Sequence, residues 1–229
     1  MSTFRKFQPR TEILPDSQRE VWSLLKPAAK MGFTLYGGTA IALQLGHRRS
    51  VDFDLFTDRN LNESALLREM PFLKHAQVLQ ASKNTLTMAY PVDKDHVKIS
   101  MFGGIDFGRV GTPLIANGNE LPVASLDDLM STKLKVILQR AEKKDYMDIA
   151  EMIRSGVSLE KGIGSACAMF GKTFPPKDCL AALTYFKDGD LETLSKKDME
   201  ILLSQSPNVR EIHPQRIISR VLGLSEPDV

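Results

Sequence analysis

The segment Arg49-Ser50-Val51-Asp52-Phe53-Asp54-Leu55 alternates polar and apolar residues, and a strand is the conformation that makes sense of it. A period of two puts Ser50, Asp52 and Asp54 on one face and Val51, Phe53 and Leu55 on the other, where they can enter a core. Two carboxylates two residues apart on one strand face repel each other. A divalent cation between them removes that cost. One helical length upstream lies Tyr36-Gly37-Gly38-Thr39-Ala40. The glycine pair reads as a strand-to-helix turn, where the backbone approaches a ligand closely and free N–H groups bind phosphate. A phosphate cradle beside a carboxylate metal site points to nucleotide chemistry.

The rest of the chain supplies a frame for this unit. Residues 1–15 read as an arm ending at Pro15. Asp16 or Ser17 is expected to cap a helix to about Ala29, with Val21, Trp22, Leu24 and Leu25 as its apolar stripe. Phe33–Tyr36 reads as a strand, Thr39–Leu45 as a helix closed by Gly46, and Ser50–Phe56 as the second strand. A helix over Asn62–Glu69 precedes three strands, Ala76–Ala81, Thr85–Tyr90 and His96–Phe102. Asn117-Gly118-Asn119 is a turn, and Leu121-Pro122-Val123 a short edge segment. From Ser125, capped in concert with Asp128, a helix is expected to run past Arg140. Asp145–Arg154 continues that texture to a stop at Gly156. Residues 159–224 read as several short helices, with Pro175-Pro176 as a rigid loop. The expected class is α+β, a mixed-sheet core at 1–120 and a helical region at 121–229.

Composition narrows the functional classes. The chain has 229 residues, a hydrophobic content of 42% and a net charge of +2. No overall basic field announces nucleic acid, though a local basic surface is compatible with these numbers. Cys167 and Cys179 make no disulfide framework and have no metal-type spacing with the four histidines, so a reducing cytoplasm is expected. Met1–Arg10 lacks the apolar run of a secretory signal, and no window is long and apolar enough to span a membrane.

The run Gly-Gly-Thr-Ala-Ile-Ala-Leu-Gln-Leu-Gly-His-Arg-Arg-Ser-Val-Asp-Phe-Asp-Leu-Phe, residues 37–56, resembles the AbiEii/AbiGii-type toxin nucleotidyltransferases, which have the polymerase-beta-like nucleotidyltransferase fold. The resemblance implies that Asp52 and Asp54 hold Mg2+ and that Gly37, Gly38 and Thr39 contact a nucleoside triphosphate, with Ser50 beside them. The implied reaction is in-line attack of an acceptor hydroxyl on the α-phosphate. The acceptor would be a tRNA end or a protein hydroxyl, and a cognate antitoxin of a toxin–antitoxin or phage-defence system would be a partner.

Two further stretches bear on the same site. In Val97-Lys98-Ile99-Ser100-Met101 alternation turns Val97, Ile99 and Met101 inward and Lys98 and Ser100 outward. The family's strand carries an acid two residues after the lysine, and here that residue is Ser100, which cannot act as a base at neutral pH. Asp106 lies nearby, with no direction fixed by the pattern. Lys133, Ile137, Arg140, Lys144 and Asp148 would form one stripe on a continuous helix. Such a stripe reads equally as a solvated face. Lys144-Asp145-Tyr146-Met147-Asp148 has the Lys-Asp-x-x-Asp form of the family's late motif. The resemblance therefore implies that Lys133 and Lys144 face the triphosphate, with Arg140 on the same stripe. It also implies that Asp145 or Asp148 completes the site, Asp148 as the base that Ser100 does not supply.

Weaker candidates are His47, beside the metal strand, and Arg48 or Arg49, read either as phosphate or RNA contacts or as a solvated turn. Arg210, His213, Arg216 and Arg220 read as a basic C-terminal helix, more simply a solvated face. Two other functions compete with a toxin-like transferase. One is a nucleotide-binding protein of the same fold without turnover; the other is a transferase acting on a small molecule.

Overall fold

The computed structural model describes residues 4–225. An eight-stranded mixed sheet runs in the order β1-β7-β8-β2-β3-β6-β5-β4. Its strands are β1 (Lys6–Phe7), β2 (Thr34–Tyr36), β3 (Asp52–Phe56), β4 (Gln77–Ser82), β5 (Thr85–Val92), β6 (Asp95–Phe102), β7 (Leu114–Ala116) and β8 (Pro122–Val123). The helices are α1 (Asp16–Leu24), α2 (Gly37–Leu45), α3 (Glu63–Glu69), α4 (Leu126–Val136), α5 (Lys143–Arg154), α6 (Leu159–Phe170), α7 (Pro176–Thr184) and α8 (Lys196–Gln205). The class is thus the expected α+β, with helices dominating the C-terminal part. Among the described residues no helix is long and apolar enough to cross a membrane.

Strand β3 is central, antiparallel to β2 and parallel to β6. Phe53 and Leu55 are fully buried, as alternation requires. Val51 is not: the strand begins one residue later, and Val51 is 51% exposed. In β6, Val97, Ile99 and Met101 are all buried as expected. Helix α2 packs on β3 and against α4 and α5, which carry the late cationic residues. One hydrophobic core runs from Ile13 to Leu222 and takes in both the sheet and the C-terminal helices.

Several elements depart from the sequence reading. Residues 6–7 of the expected arm pair with β7, and Ile13 and Leu14 are buried; residues 1–3 lie outside the described residues. Helix α1 has Pro15 as its N-cap with no side-chain cap, because Asp16 lies inside the first turn and pairs with Arg19. The helix also stops at Leu24. Pro27 cannot continue an α-helix, and Lys26–Met31 closes as a 3-10 turn. The Leu121–Val123 segment is interior, because β7 and β1 extend the sheet beyond it. Pro122 lacks a donor, but its flanks keep the sheet joined: Ala124 N–H donates to Leu35 O and Leu121 O accepts from Ala116 N–H.

Ser125 caps α4 as expected. Its hydroxyl accepts from Asp128 N–H at 3.2 Å and donates to the Asp128 carboxylate at 2.7 Å. That helix ends at Val136, and a new one starts at Lys143, so the stripe from Lys133 to Asp148 is not one helix face. Pro175-Pro176 starts α7 rather than forming a loop. Residues 209–225 form no helix, so the basic helix through Arg210, His213, Arg216 and Arg220 is absent. This segment returns along the core as a strap: Arg109 bridges to Ser219, and its buried guanidinium donates to Val221 O, Gly111 O and Ser225 O.

Candidate active site

Antiparallel pairing places Tyr36 opposite Asp54, so the next residue, Gly37, lies beside the Asp54 carboxylate. Gly37 has φ +73°, and a Cβ there would sit 2.3 Å from Asp54 Oδ2. Both facts demand glycine. At Gly38 a Cβ would meet Arg48 Nη2 at 2.2 Å. The N-terminus of α2 has no side-chain cap, so its first N–H groups are available to an anion beside two carboxylates. The helix begins at Gly37 itself rather than at Thr39.

A cavity of about 300 Å3 opens here, at the small end of the range for ligand sites. Its wall brings together Gly37, Gly38, Thr39, Ser50, Asp52, Asp54, Lys98, Lys133, Arg140 and Lys144, from four separate stretches of chain. Thr39 and Ser50 contribute little through their hydroxyls. The two bond each other at 2.7 Å, and Thr39 also donates to Asp52 O. Phe56, Phe102 and Val136 add apolar surface to the cavity wall. Phe56 is itself held by stacking on Tyr36, with ring centroids 4.8 Å apart.

The Asp52–Asp54 pair is under-compensated. Burial, and then the Asp52 charge, pushes the Asp54 carboxyl above its ordinary range; Lys98, Lys133 and a hydrogen bond from Ser100 only partly oppose this. Lys98 reaches Asp52 at 3.2 Å. Ser100 is opposite Asp54 on β6 and is buried. Among the described residues no third His, Cys, Asp or Glu joins the pair to form a metal cluster. The residues still fit a hard cation: two carboxylate oxygens on one face, in need of positive charge, with an open cavity from which a substrate can supply further oxygens.

Asp145 and Asp148 depart from the expected placement. Their side chains are 0% exposed and lie behind the cavity wall rather than in it. Lys133 Nζ bridges them, 2.6 Å from Asp145 Oδ1 and 2.7 Å from Asp148 Oδ2. Arg140 Nε donates to Asp145 Oδ2 at 2.8 Å. Arg48 forks onto Asp148, Nε to Oδ1 at 2.7 Å and Nη2 to Oδ2 at 2.9 Å. His47 Nε2 completes the set at 2.7 Å from Oδ1. Burial alone would raise the Asp148 carboxyl, but His47, Arg48 and Lys133 hold it far below the ordinary range. Asp145 is also lowered, by Lys133 and Arg140 against its burial. Four donors take the four lone-pair sites of Asp148, so it has no place to accept a substrate proton. In this arrangement the residue expected as base is a buried carboxylate engaged on both oxygens.

The break after Val136 still brings Lys133, Arg140 and Lys144 to one cavity, by folding α4 against α5. Ile137, the apolar member of the expected stripe, is buried. Lys144 lies at the rim, paired with Glu142 at 2.9 Å. The sequence reading underrated His47 and Arg48. The signal was their place directly after the Gly46 cap, φ +72°, which turns the chain back toward α5.

A protein of Aquifex aeolicus is 33% identical over 129 residues, 53% of this chain and 58% of that protein, so the chain spans little more than half of its length. The solved structure of MenT4, a nucleotidyltransferase toxin of Mycobacterium tuberculosis, aligns with a TM-score of 0.50 at 11% identity, covering 84% of this chain and 80% of that one. An antigenic nucleotidyltransferase-like protein of Paracoccidioides brasiliensis aligns at 0.46 and 18% identity, covering 88% and 92%. The model of the family described as nucleotidyl transferase AbiEii toxin, type IV toxin–antitoxin system, matches residues 22–213. That match spans most of the chain, which belongs to the AbiEii toxin nucleotidyltransferase family.

Proposed function

We propose that the chain is a magnesium-dependent nucleotidyltransferase, a cytoplasmic toxin that moves a nucleoside monophosphate from a triphosphate to an acceptor hydroxyl, with a cognate antitoxin as partner. One observation carries the reading: the under-compensated Asp52–Asp54 pair lies against the uncapped N-terminus of α2 in a cavity walled by Lys98, Lys133, Arg140 and Lys144. Mg2+ held by Asp52 and Asp54 would neutralise charge on the triphosphate and orient the leaving pyrophosphate. The N–H groups at the start of α2 bind phosphate oxygens. Lys133 spends two N–H bonds on Asp145 and Asp148 and has one left for the triphosphate. Arg140 and Lys144 hold its outer end. The apolar wall supplied by Phe56, Phe102 and Val136 takes the base. The cationic rim favours a polyanionic acceptor, such as a tRNA end, over a small molecule.

A second reading, a nucleotide-binding protein without turnover, draws support from Ser100. It stands opposite Asp54 and donates to it, so β6 offers neither a third ligand nor a base. Incubation with each α-labelled triphosphate, Mg2+ and total tRNA separates the two. Label on tRNA that vanishes with chelator and in Asp52→Ala supports transfer to tRNA. Label on a protein moves the acceptor to a protein hydroxyl. Triphosphate bound without transfer to either supports the second reading.

A further inference from the structure

His47 is held as tightly as the residues of the cavity wall, yet it does not touch the cavity. Its side chain is 6% exposed, and Nε2 faces Asp148 Oδ1 at 2.7 Å. The other ring nitrogen, Nδ1, is buried without a partner. A buried polar atom without a partner carries a cost, and the contact at Nε2 is what holds the ring in place. The nitrogen facing a carboxylate oxygen carries the hydrogen, so His47 donates through Nε2 and its tautomer is set.

That donation decides how Asp148 meets its cations. Oδ1 receives His47 and Arg48 Nε; Oδ2 receives Arg48 Nη2 and Lys133. Both oxygens are engaged from fixed directions, so the carboxylate cannot rotate about its terminal torsion. Arg48 and Lys133 both line the cavity; this carboxylate takes the Arg48 fork, whose Nη1 also donates to Arg49 O, and shares Lys133 with Asp145. Without His47, Oδ1 loses one of its two donors in a site closed to water, and the carboxylate is free to swing toward Lys133. Its grip on the Arg48 fork then loosens.

We propose that His47 is a positioning residue that acts through Asp148 to aim Arg48 and Lys133 at the phosphates of a nucleoside triphosphate. This rests on the nucleotidyltransferase reading. It touches neither the substrate nor the carboxylates of β3, and its role is the donor at Nε2 rather than the ring. Glutamine can place an amide N–H near that position, whereas asparagine is too short to reach Asp148.

The test uses the full chain as wild type, His47→Ala, His47→Asn and His47→Gln. Affinity for ATP, GTP, CTP and UTP with Mg2+ is measured by calorimetric titration, alongside melting temperature. The expected result for the triphosphate bound best by wild type is an affinity loss of about tenfold in His47→Ala and His47→Asn, with His47→Gln close to wild type. Wild-type affinity in folded His47→Ala overturns the proposal, as does a His47→Gln loss equal to that of His47→Asn. The Asn–Gln pair decides the matter even if His47→Ala does not fold. Wild type that binds but transfers nothing overturns the transferase reading alone, since the affinity comparison stands without turnover.

Discussion

Two pairs of aspartates lie within one site and are treated in opposite ways. Asp145 and Asp148, on α5, are sealed from water and met by Lys133, Arg140, Arg48 and His47. Asp52 and Asp54, on β3, face an open cavity, and one exposed lysine, Lys98, pairs with Asp52 at 3.2 Å. The first pair has its counter-charge built in, and its carboxyls are held below the ordinary range. The second lacks counter-charge, and Asp54 is pushed above it. The same residue type therefore does two jobs. Buried anions fix the cations of the wall, and the β3 anions are left short of positive charge.

Breaking the compensated pair should do the most damage. Asp148→Ala strands the Arg48 fork without its carboxylate and leaves Lys133 with Asp145 alone, and the cost in stability is about 3–5 kcal/mol. Asp54→Asn should behave in the reverse sense. It relieves repulsion, leaves chemical denaturation unchanged or shifted upward, and lowers transfer by about a thousandfold. Equal stability losses in the two variants would erase the distinction.

The glycine turn that joins the two regions is the next target. Gly37→Ala forces a side chain into a left-handed conformation and against Asp54, and should cost about 1–2 kcal/mol in denaturant unfolding. It should also weaken triphosphate binding, since the helix N-terminus moves away from Asp54. Wild-type stability in this variant would show that the turn can relax.

The smallest effect is one of pH. Burial pushes the Asp128 carboxyl up to about 6, against hydrogen bonds from Ser125 and from the N–H groups of Val110 and Gly111. Its folded value lies above the unfolded one, so the native state binds more protons and stability falls as pH rises through 6. Between pH 5 and 7 the loss is about 1 kcal/mol. Asp145 and Asp148 have the opposite sign, and their contribution disappears only below the ordinary carboxylate range, as pH falls through their lowered values. Asp128→Asn should flatten the slope between pH 5 and 7 in thermal melts and leave the acid limb alone; an unchanged slope would assign it elsewhere.

Much of this was legible in the sequence. Alternation through Asp52-Phe53-Asp54-Leu55 gave β3 and its two faces, and Gly46 marked the end of α2, because both signals are local. The break between α4 and α5 was hidden: no glycine or proline lies between Pro122 and Gly156. What ends α4 is tertiary, with Arg140 drawn to Asp145 and Lys143 N–H donating to Asp190. The surroundings of Asp148 were hidden for the same reason. Its partners His47 and Arg48 lie 101 and 100 residues away, and spacing carries no trace of that. The interior position of Pro122 depends on β7 and β1, which are too short to announce themselves.

Thermal unfolding with increasing Mg2+ in the presence of a nucleoside triphosphate tests the contrast between the aspartate pairs most directly. Wild type and the Asp52→Asn/Asp54→Asn double variant are compared. The account predicts a melting temperature that climbs with Mg2+ in wild type and stays flat in the double variant. A climb that survives loss of both β3 carboxylates, or a wild type indifferent to Mg2+, would contradict it.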